Sequence, residues 1–186
     1  MTPGRSTVRR LSLAGAATVV VAAVTAVTFN ASAAETTARP RPHPTTTHAA
    51  SPIDPPAGLK RLSSFDVARG TQTYTCTGGV FTGASTPEAV LVGRTGRLHH
   101  FAGPSWQSER DGSLVTATKV GEQTRPGTIN ELLLQINSHS GAANGQLAKA
   151  QYIQRLRTSG GVAPAGACTD GAKASVPYKA TYVFWG

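Results

Sequence analysis

Residues 99–113 place His99, His100, Trp106, Glu109 and Asp111 in one short run broken by Gly103-Pro104 and Asp111-Gly112. Imidazoles beside carboxylates are the raw material of general acid–base chemistry, of metal ligation and, with a serine, of nucleophilic catalysis. On a strand His99 and His100 project to opposite faces, so they cannot easily share one metal ion. No H-x-H pair, acidic cluster or C-x-x-C accompanies them, and no metal site is read here. Leu98, His100 and Ala102 share a face, which makes His100 the inward imidazole. Ser105 with His100 and Asp111 has the composition of a triad, but Gly103-Pro104-Ser105-Trp106 lacks the G-x-S-x-G elbow that exposes a serine. Ser105 is expected instead to bond backbone in the turn. Trp106, read as a loop residue after Pro104, can stack on a sugar ring or an apolar ligand, or fold over the edge of the core. Asp111 divides between ligand contact and plain turn chemistry.

A second polar cluster is Tyr152-Ile153-Gln154-Arg155. If it is a strand, Gln154 and Arg155 face opposite sides. An arginine flanked by apolar residues pairs with a carboxylate or holds an anionic ligand; Glu88, Asp111 and Glu131 are the available partners, and a structural ion pair is the expected outcome. The candidate ligand-binding residues are therefore His100, Trp106, Asp111, Gln154 and Arg155.

The elements that must position them read as strands. Thr71-Gln72-Thr73-Tyr74-Thr75-Cys76 alternates and is rich in β-branched and aromatic residues, with Gln72, Tyr74 and Cys76 on one face. Leu59, Leu62 and Phe65 before it have helical or irregular spacing that Gly70 is expected to end. Residues 89–92 and 97–102 form a hairpin about Gly93-Arg94-Thr95-Gly96. Asp111-Gly112 turns the chain into a strand over 114–120. Residues 132–137 are another strand, with Leu132, Leu134 and Ile136 on one face, and Asn144-Gly145 is a further turn. Residues 148–158 fit a strand or a helix, and Gly160-Gly161 ends them. Residues 178–185 alternate to the end of the chain. Short strands between Gly and Pro at intervals of about 10–15 residues predict an all-β antiparallel sandwich or barrel with long loops.

The 186 residues allow one domain with appendages. Arg9-Arg10, the apolar run 11–29 and Ala31-Ser32-Ala33 predict an export signal cleaved after Ala33. Ser12 stands where a twin-arginine signal prefers an apolar residue, which favours the general secretory route. Left uncleaved, the run is long enough to anchor the chain in a bilayer; cleaved, it leaves no membrane span. Losing Arg5, Arg9 and Arg10 lowers the 18 basic side chains to 15 against 9 acidic ones, a net charge of +6. That balance favours anionic partners. No basic run reaches five residues, however, so a solvated basic surface is the simpler reading. Residues 34–56, with Arg39-Pro40-Arg41-Pro42-His43-Pro44 and Thr45-Thr46-Thr47, read as a disordered Pro/Thr-rich tether. His43 and His48 within it lack ligand spacing. The folded domain is expected over 57–186. Its two cysteines, Cys76 and Cys168, are expected to form a disulfide in an oxidising compartment.

No G-x-G-x-x-G follows a strand and no Walker loop is present, so no nucleotide or other cofactor is expected. Aromatics do not interleave with basic residues as in single-strand nucleic-acid binders, so no specific nucleic acid is expected either.

Pro55-Pro56-Ala57-Gly58-Leu59, Gly70-x-Gln72-x-Tyr74-x-Cys76, Pro87-Glu88-Ala89-x-Leu91, His100-Phe101-Ala102-Gly103-Pro104-x-Trp106 and Asp111-Gly112-Ser113 occur in that order. They are followed by Leu132-Leu133-Leu134, Tyr152-Ile153-Gln154-Arg155, Gly160-Gly161-x-Ala163-Pro164, Cys168 and Tyr178-x-Ala180-x-Tyr182-x-Phe184. This ordered set resembles the DUF3455 family of secreted bacterial and fungal proteins, from Pro55 to the end. The resemblance implies a secreted domain of unknown function and supplies no reaction. Val80-Phe81 stands where the family has a tryptophan, and Asn130-Glu131 where it has Pro-Trp. A pocket lined by those tryptophans would be more polar here, or lost.

Three functional readings follow. The first is a secreted, non-catalytic module binding an anionic or carbohydrate envelope component around His100, Trp106 and Asp111, with Arg155. The second is an extracellular hydrolase or lyase using His100 with Asp111 or Glu88. The third is a structural wall or matrix protein.

Overall fold

The structure, a computed structural model, describes residues 49–186; the expected export signal, its cleavage site and the tether up to residue 48 lie outside them. Eight strands follow one another: β1 (Arg61–Thr77), β2 (Val80–Gly93), β3 (Gly96–Phe101), β4 (Ser105–Ser108), β5 (Leu114–Gln123), β6 (Glu131–Ser140), β7 (Tyr152–Gly160) and β8 (Lys173–Trp185). Each pairs antiparallel with the next, and β8 pairs back onto β1 to close a barrel. Of the two all-β architectures that the alternation allowed, the chain adopts the barrel. Closure leaves no free sheet edge.

Antiparallel order sorts the connections into two ends. The β1–β2, β3–β4, β5–β6 and β7–β8 connections make one end, called upper here. The β2–β3, β4–β5 and β6–β7 connections make the lower end, with the start of β1 and the finish of β8. The β2–β3 hairpin closes with Gly93 opposite Gly96, as its turn residues predict. Cys76 and Cys168 are joined, tying the β7–β8 connection to the upper end of β1.

Three expectations are corrected. The spacing of Leu59, Leu62 and Phe65 is not helical, because β1 begins at Arg61 and shifts register against β8 between Arg61 and Ser63. Phe65 and Val67 then point inward, while Leu62 stays exposed. Gly70 does not end the segment. A Cβ there would lie 2.6 Å from the Cβ of Ala89 and 3.0 Å from the Tyr178 ring. Glycine lets β1 bend inside the barrel and continue. Trp106, thirdly, is not a loop residue. Gly103, at φ 115°, turns the chain so tightly that Ser105 already pairs with Phe101 and Trp106 with His100. The ambiguous stretch 148–158 resolves into turns and then β7.

Inside the barrel, Phe65, Leu91, Leu98, Val115, Leu147, Ile153 and Phe184 are wholly buried. Each large side chain among them stabilises the fold by roughly 1.5–3 kcal/mol. The outer face is also covered along one row. Leu133, Gln154 and Val183 lie opposite one another on β6, β7 and β8, and all are buried. Over them passes the segment 51–56, which composition assigned to the tether. Ile53 is buried, its carbonyl accepts a 2.6 Å bond from Gln154 Nε2, and the Pro52 carbonyl packs on Gly121. Burial on both faces is why Leu132-Leu133-Leu134 reads as an unbroken apolar run rather than an alternating one.

Candidate functional site

The β3–β4 hairpin is low: β3 has 6 residues and β4 has 4, against 14 in β2 and 10 in β5. Above its turn the wall is missing, and a cavity of about 500 Å³ runs inward between Ser85–Pro87 of β2 and Ala117–Lys119 of β5. Pro104, Leu132 and Leu134 give it apolar walls, and His100, Trp106, Tyr182 and Arg155 line it as well. That volume is typical of small-molecule sites.

An aromatic group lines the interior. His100 and Trp106 are cross-strand partners, stacked with centroids 4.3 Å apart and planes 6° from parallel. Tyr182 meets both edge-on, at 5.1 Å and 5.8 Å. His100 is 2 % exposed. Its Nδ1 lies 2.8 Å from the carbonyl oxygen of Ser105. A carbonyl only accepts, so Nδ1 carries the proton and Nε2 is left as a bare acceptor. Nε2 has no hydrogen-bond partner among the described residues, and it is not one of the polar atoms sealed from solvent. Burial lowers the His100 pKa to about 3; the Ser105 bond raises it, and the charges of Arg155 and His99 lower it further. The ring is neutral at any ordinary pH. Burial likewise raises Tyr182, with Arg155 and the Tyr178 hydroxyl pulling the other way.

Arg155 enters from β7. It lies opposite Leu132 on one side and Tyr182 on the other, on the inner face. Its Nε and Nη2 donate to the Asn130 carbonyl at 3.1 and 2.8 Å, which fixes the guanidinium plane. None of its expected carboxylate partners reaches it. Glu88 holds His99 at 2.6 Å on the outer face. Glu131 is taken by Arg125 at 2.5 Å and by the backbone N–H of Arg157 at 2.6 Å. Glu122, in an adjoining hollow that shares Arg155, Lys119 and Leu132 with the cavity, pairs with Lys119 and Asn130. Those two bonds hold Glu122 below the usual carboxylate range. Among the described residues no carboxylate makes an ion pair with Arg155.

The structure brings His100, Trp106 and Arg155 together and leaves Asp111 and Gln154 out. Asp111 stands at the lower end, where it accepts from Ser113 N at 3.0 Å, Ser113 Oγ at 2.6 Å and Gln146 N at 2.8 Å. The Ser113 hydroxyl, then the two backbone N–H groups, draw its pKa down to about 2. Its work is turn chemistry. Gln154 faces outward, both ends of its amide engaged by Ile53 O and Trp185 Nε1. Ser105 Oγ bonds the Ala102 carbonyl at 3.0 Å, as expected, so no triad forms. Trp106 is only 1 % exposed and has no open face for a sugar ring.

Tyr182, Gln72 and Lys119 also line the cavity and are not among the candidate residues that the sequence singles out. Gln72 carried a signal, since it is a polar residue on a face shared with Tyr74 and Cys76. Ser85 Oγ donates to its Oε1 at 2.6 Å, while its Nε2 and Trp106 Nε1 are buried without partners; Ser63 Oγ and Thr158 Oγ1, away from the cavity, share that state. Tyr182 was visible only as part of an alternating strand, and Lys119 carried no signal.

The fold and site define a closed antiparallel barrel with a polar-floored interior cavity opening above a short hairpin. The family model described as "Protein of unknown function (DUF3455)" matches residues 93–186, so the chain belongs to that family. The matched part runs from the β2–β3 turn through β8 and contains His100, Trp106, Arg155 and Tyr182. No curated protein and no solved structure matches the chain. Of the family departures, Asn130 lies in the hollow beside the cavity and holds Arg155 through its carbonyl.

Proposed function

We propose that this protein is an exported, non-catalytic barrel that binds a small ligand in the cavity above the β3–β4 turn. One observation carries the reading: a 500 Å³ interior space whose lining includes the His100–Trp106 stack, Tyr182 and an arginine free of carboxylates. Export is supported by the signal-like first 33 residues and by the Cys76–Cys168 bridge, a bond suited to oxidising compartments. A small ligand is favoured over an envelope polymer because Trp106 lies inside the wall. Binding without catalysis is favoured because His100, so far below neutrality, is a feeble base. The carboxylates that an acid–base pair would need, Asp111 and Glu88, are committed elsewhere.

The test is a thermal-shift screen of the full chain against small metabolites and the neutral dye N-phenyl-1-naphthylamine. A ligand at 100 times its Kd stabilises the native state by about 2.7 kcal/mol, a rise of several degrees in Tm. Ala102→Trp, at the exposed rim, should abolish each shift while leaving the unliganded Tm near wild type. Shifts that survive Ala102→Trp, or a screen in which neither metabolite nor dye binds, would overturn the proposal.

A further inference from the structure

Resting on that reading, we infer that the ligand is a compact hydroxy-carboxylate with an apolar body. Its carboxylate sits on Arg155, and its hydroxyl donates to Nε2 of His100. The two anchors flank one residue: Tyr182 is the cross-strand neighbour of Arg155 and meets the His100 ring edge-on at 5.1 Å. A small molecule can therefore span both.

The two groups ask for opposite partners. Arg155 is a permanent cation with its plane fixed by the Asn130 carbonyl, and guanidinium donors suit a planar, bidentate anion. Inside a half-closed cavity an unpaired cation is costly, and an anionic ligand relieves that cost. Lys119 lines the same space with its charge matched by Glu122 of the adjoining hollow, so the cavity lining itself carries two cations and no carboxylate. His100 offers a lone pair and no proton on Nε2, because Nδ1 is spent on Ser105. That atom rejects a second carboxylate and accepts a hydroxyl. Between the anchors, Leu132, Leu134 and Pro104 present carbon, which suits an apolar body.

The experiment is titration calorimetry of the full chain at pH 7.5 with 2-, 3- and 4-hydroxybenzoate, their methyl esters, and benzoate. The best isomer should bind at least ten-fold more tightly than its own ester and than benzoate. Arg155→Gln should erase the preference for acid over ester while leaving ester affinity within a few-fold. If ester and acid bind alike, or the preference survives Arg155→Gln, the anion assignment is wrong. If benzoate matches the best hydroxybenzoate, the His100 assignment is wrong. Binding of N-phenyl-1-naphthylamine without any hydroxybenzoate would sink this inference and keep the cavity. Binding of neither would sink both.

Discussion

The two ends of the barrel are built from similar residues and reach opposite results. At the lower end, Asp111, Ser113, Gln146, Ser108 and Thr95 form one hydrogen-bonded network around a turn. Asp111 gathers three donors, and Gln146 passes the chain of bonds to Ser108 and Thr95. Leu147, wholly buried, plugs the space beneath. At the upper end, Gln72 Nε2 and Trp106 Nε1 have no partner, His100 Nε2 is a bare acceptor, and Arg155 lacks a carboxylate. Buried polar groups are normally satisfied. Ser63 Oγ and Thr158 Oγ1 are exceptions elsewhere, but the two that meet in one space, Gln72 Nε2 and Trp106 Nε1, line the cavity and set it apart from the plug. Similar polar side chains make structure where they meet each other and a site where they do not.

The comparison can be broken or sharpened by measurement, beginning with the largest effect. The Cys76–Cys168 bridge spans a sequence separation of 92 residues, and replacing both cysteines by serine should cost about 4–5 kcal/mol in denaturant unfolding. Because the bridge ties down the upper end, the double variant should also lose ligand shifts that the lower-end variants keep. Leu147→Ala should cost roughly 2–5 kcal/mol through its cavity, with ligand affinity unchanged once folded. An affinity loss in that variant would mean that the ends are not separate.

Acid comes next. His100 is held neutral, with a folded pKa of about 3 against 6.5, so its contribution is fully present above pH 6.5. It declines as pH falls through that window, because the unfolded state binds the proton first. The decline should approach about 1.4 kcal/mol per pH unit, and His100→Gln should flatten that part of the stability curve. Asp111 acts over a lower window. Its pKa falls from 3.8 to about 2 on folding, so its contribution holds above pH 3.8 and fades towards pH 2. Asp111→Asn should lower Tm slightly at pH 7 and not at all near pH 2. The smallest stability change belongs to Arg155→Gln, within about 1 kcal/mol of wild type, because it removes no ion pair. Should that variant unfold, Arg155 is a structural residue.

Much of the fold was legible because strands announce themselves by period. The alternation of 71–76 and 178–185 and the turn residues Gly93-Arg94-Thr95-Gly96 and Asp111-Gly112 placed strands and hairpins where they stand. The misreadings have local causes. A register shift gave Leu62 and Phe65 a helix-like spacing, and a glycine needed for close packing imitated a strand end at Gly70. A tight turn placed Trp106 in the wall rather than the loop. The site was half legible. The neighbours Leu98 and Ala102 mark His100 as inward, and alternation puts Arg155 on the face opposite Gln154 without saying which is inside. Tyr182 and Lys119 come from strands distant in sequence, and no local pattern joins them to residues 99–106.

By itself the sequence determined the all-β class, the cysteine pair and the opposite facing of Gln154 and Arg155. Each depends on residue type and on a side-chain period of two, which neighbours along the chain settle between themselves. Only the tertiary structure decided that the sheet closes, that the β3–β4 side is left low, and which polar groups find partners. Asp111 and Arg155 are equally charged on paper. The turn itself gives the carboxylate two donors from Ser113, the β6–β7 connection adds Gln146 N, and the guanidinium at the upper end is left facing the cavity without an acid. A turn can satisfy its own carboxylate locally, but whether Arg155 meets an acid is decided between strands distant in sequence, and that is settled only when the chain has closed on itself.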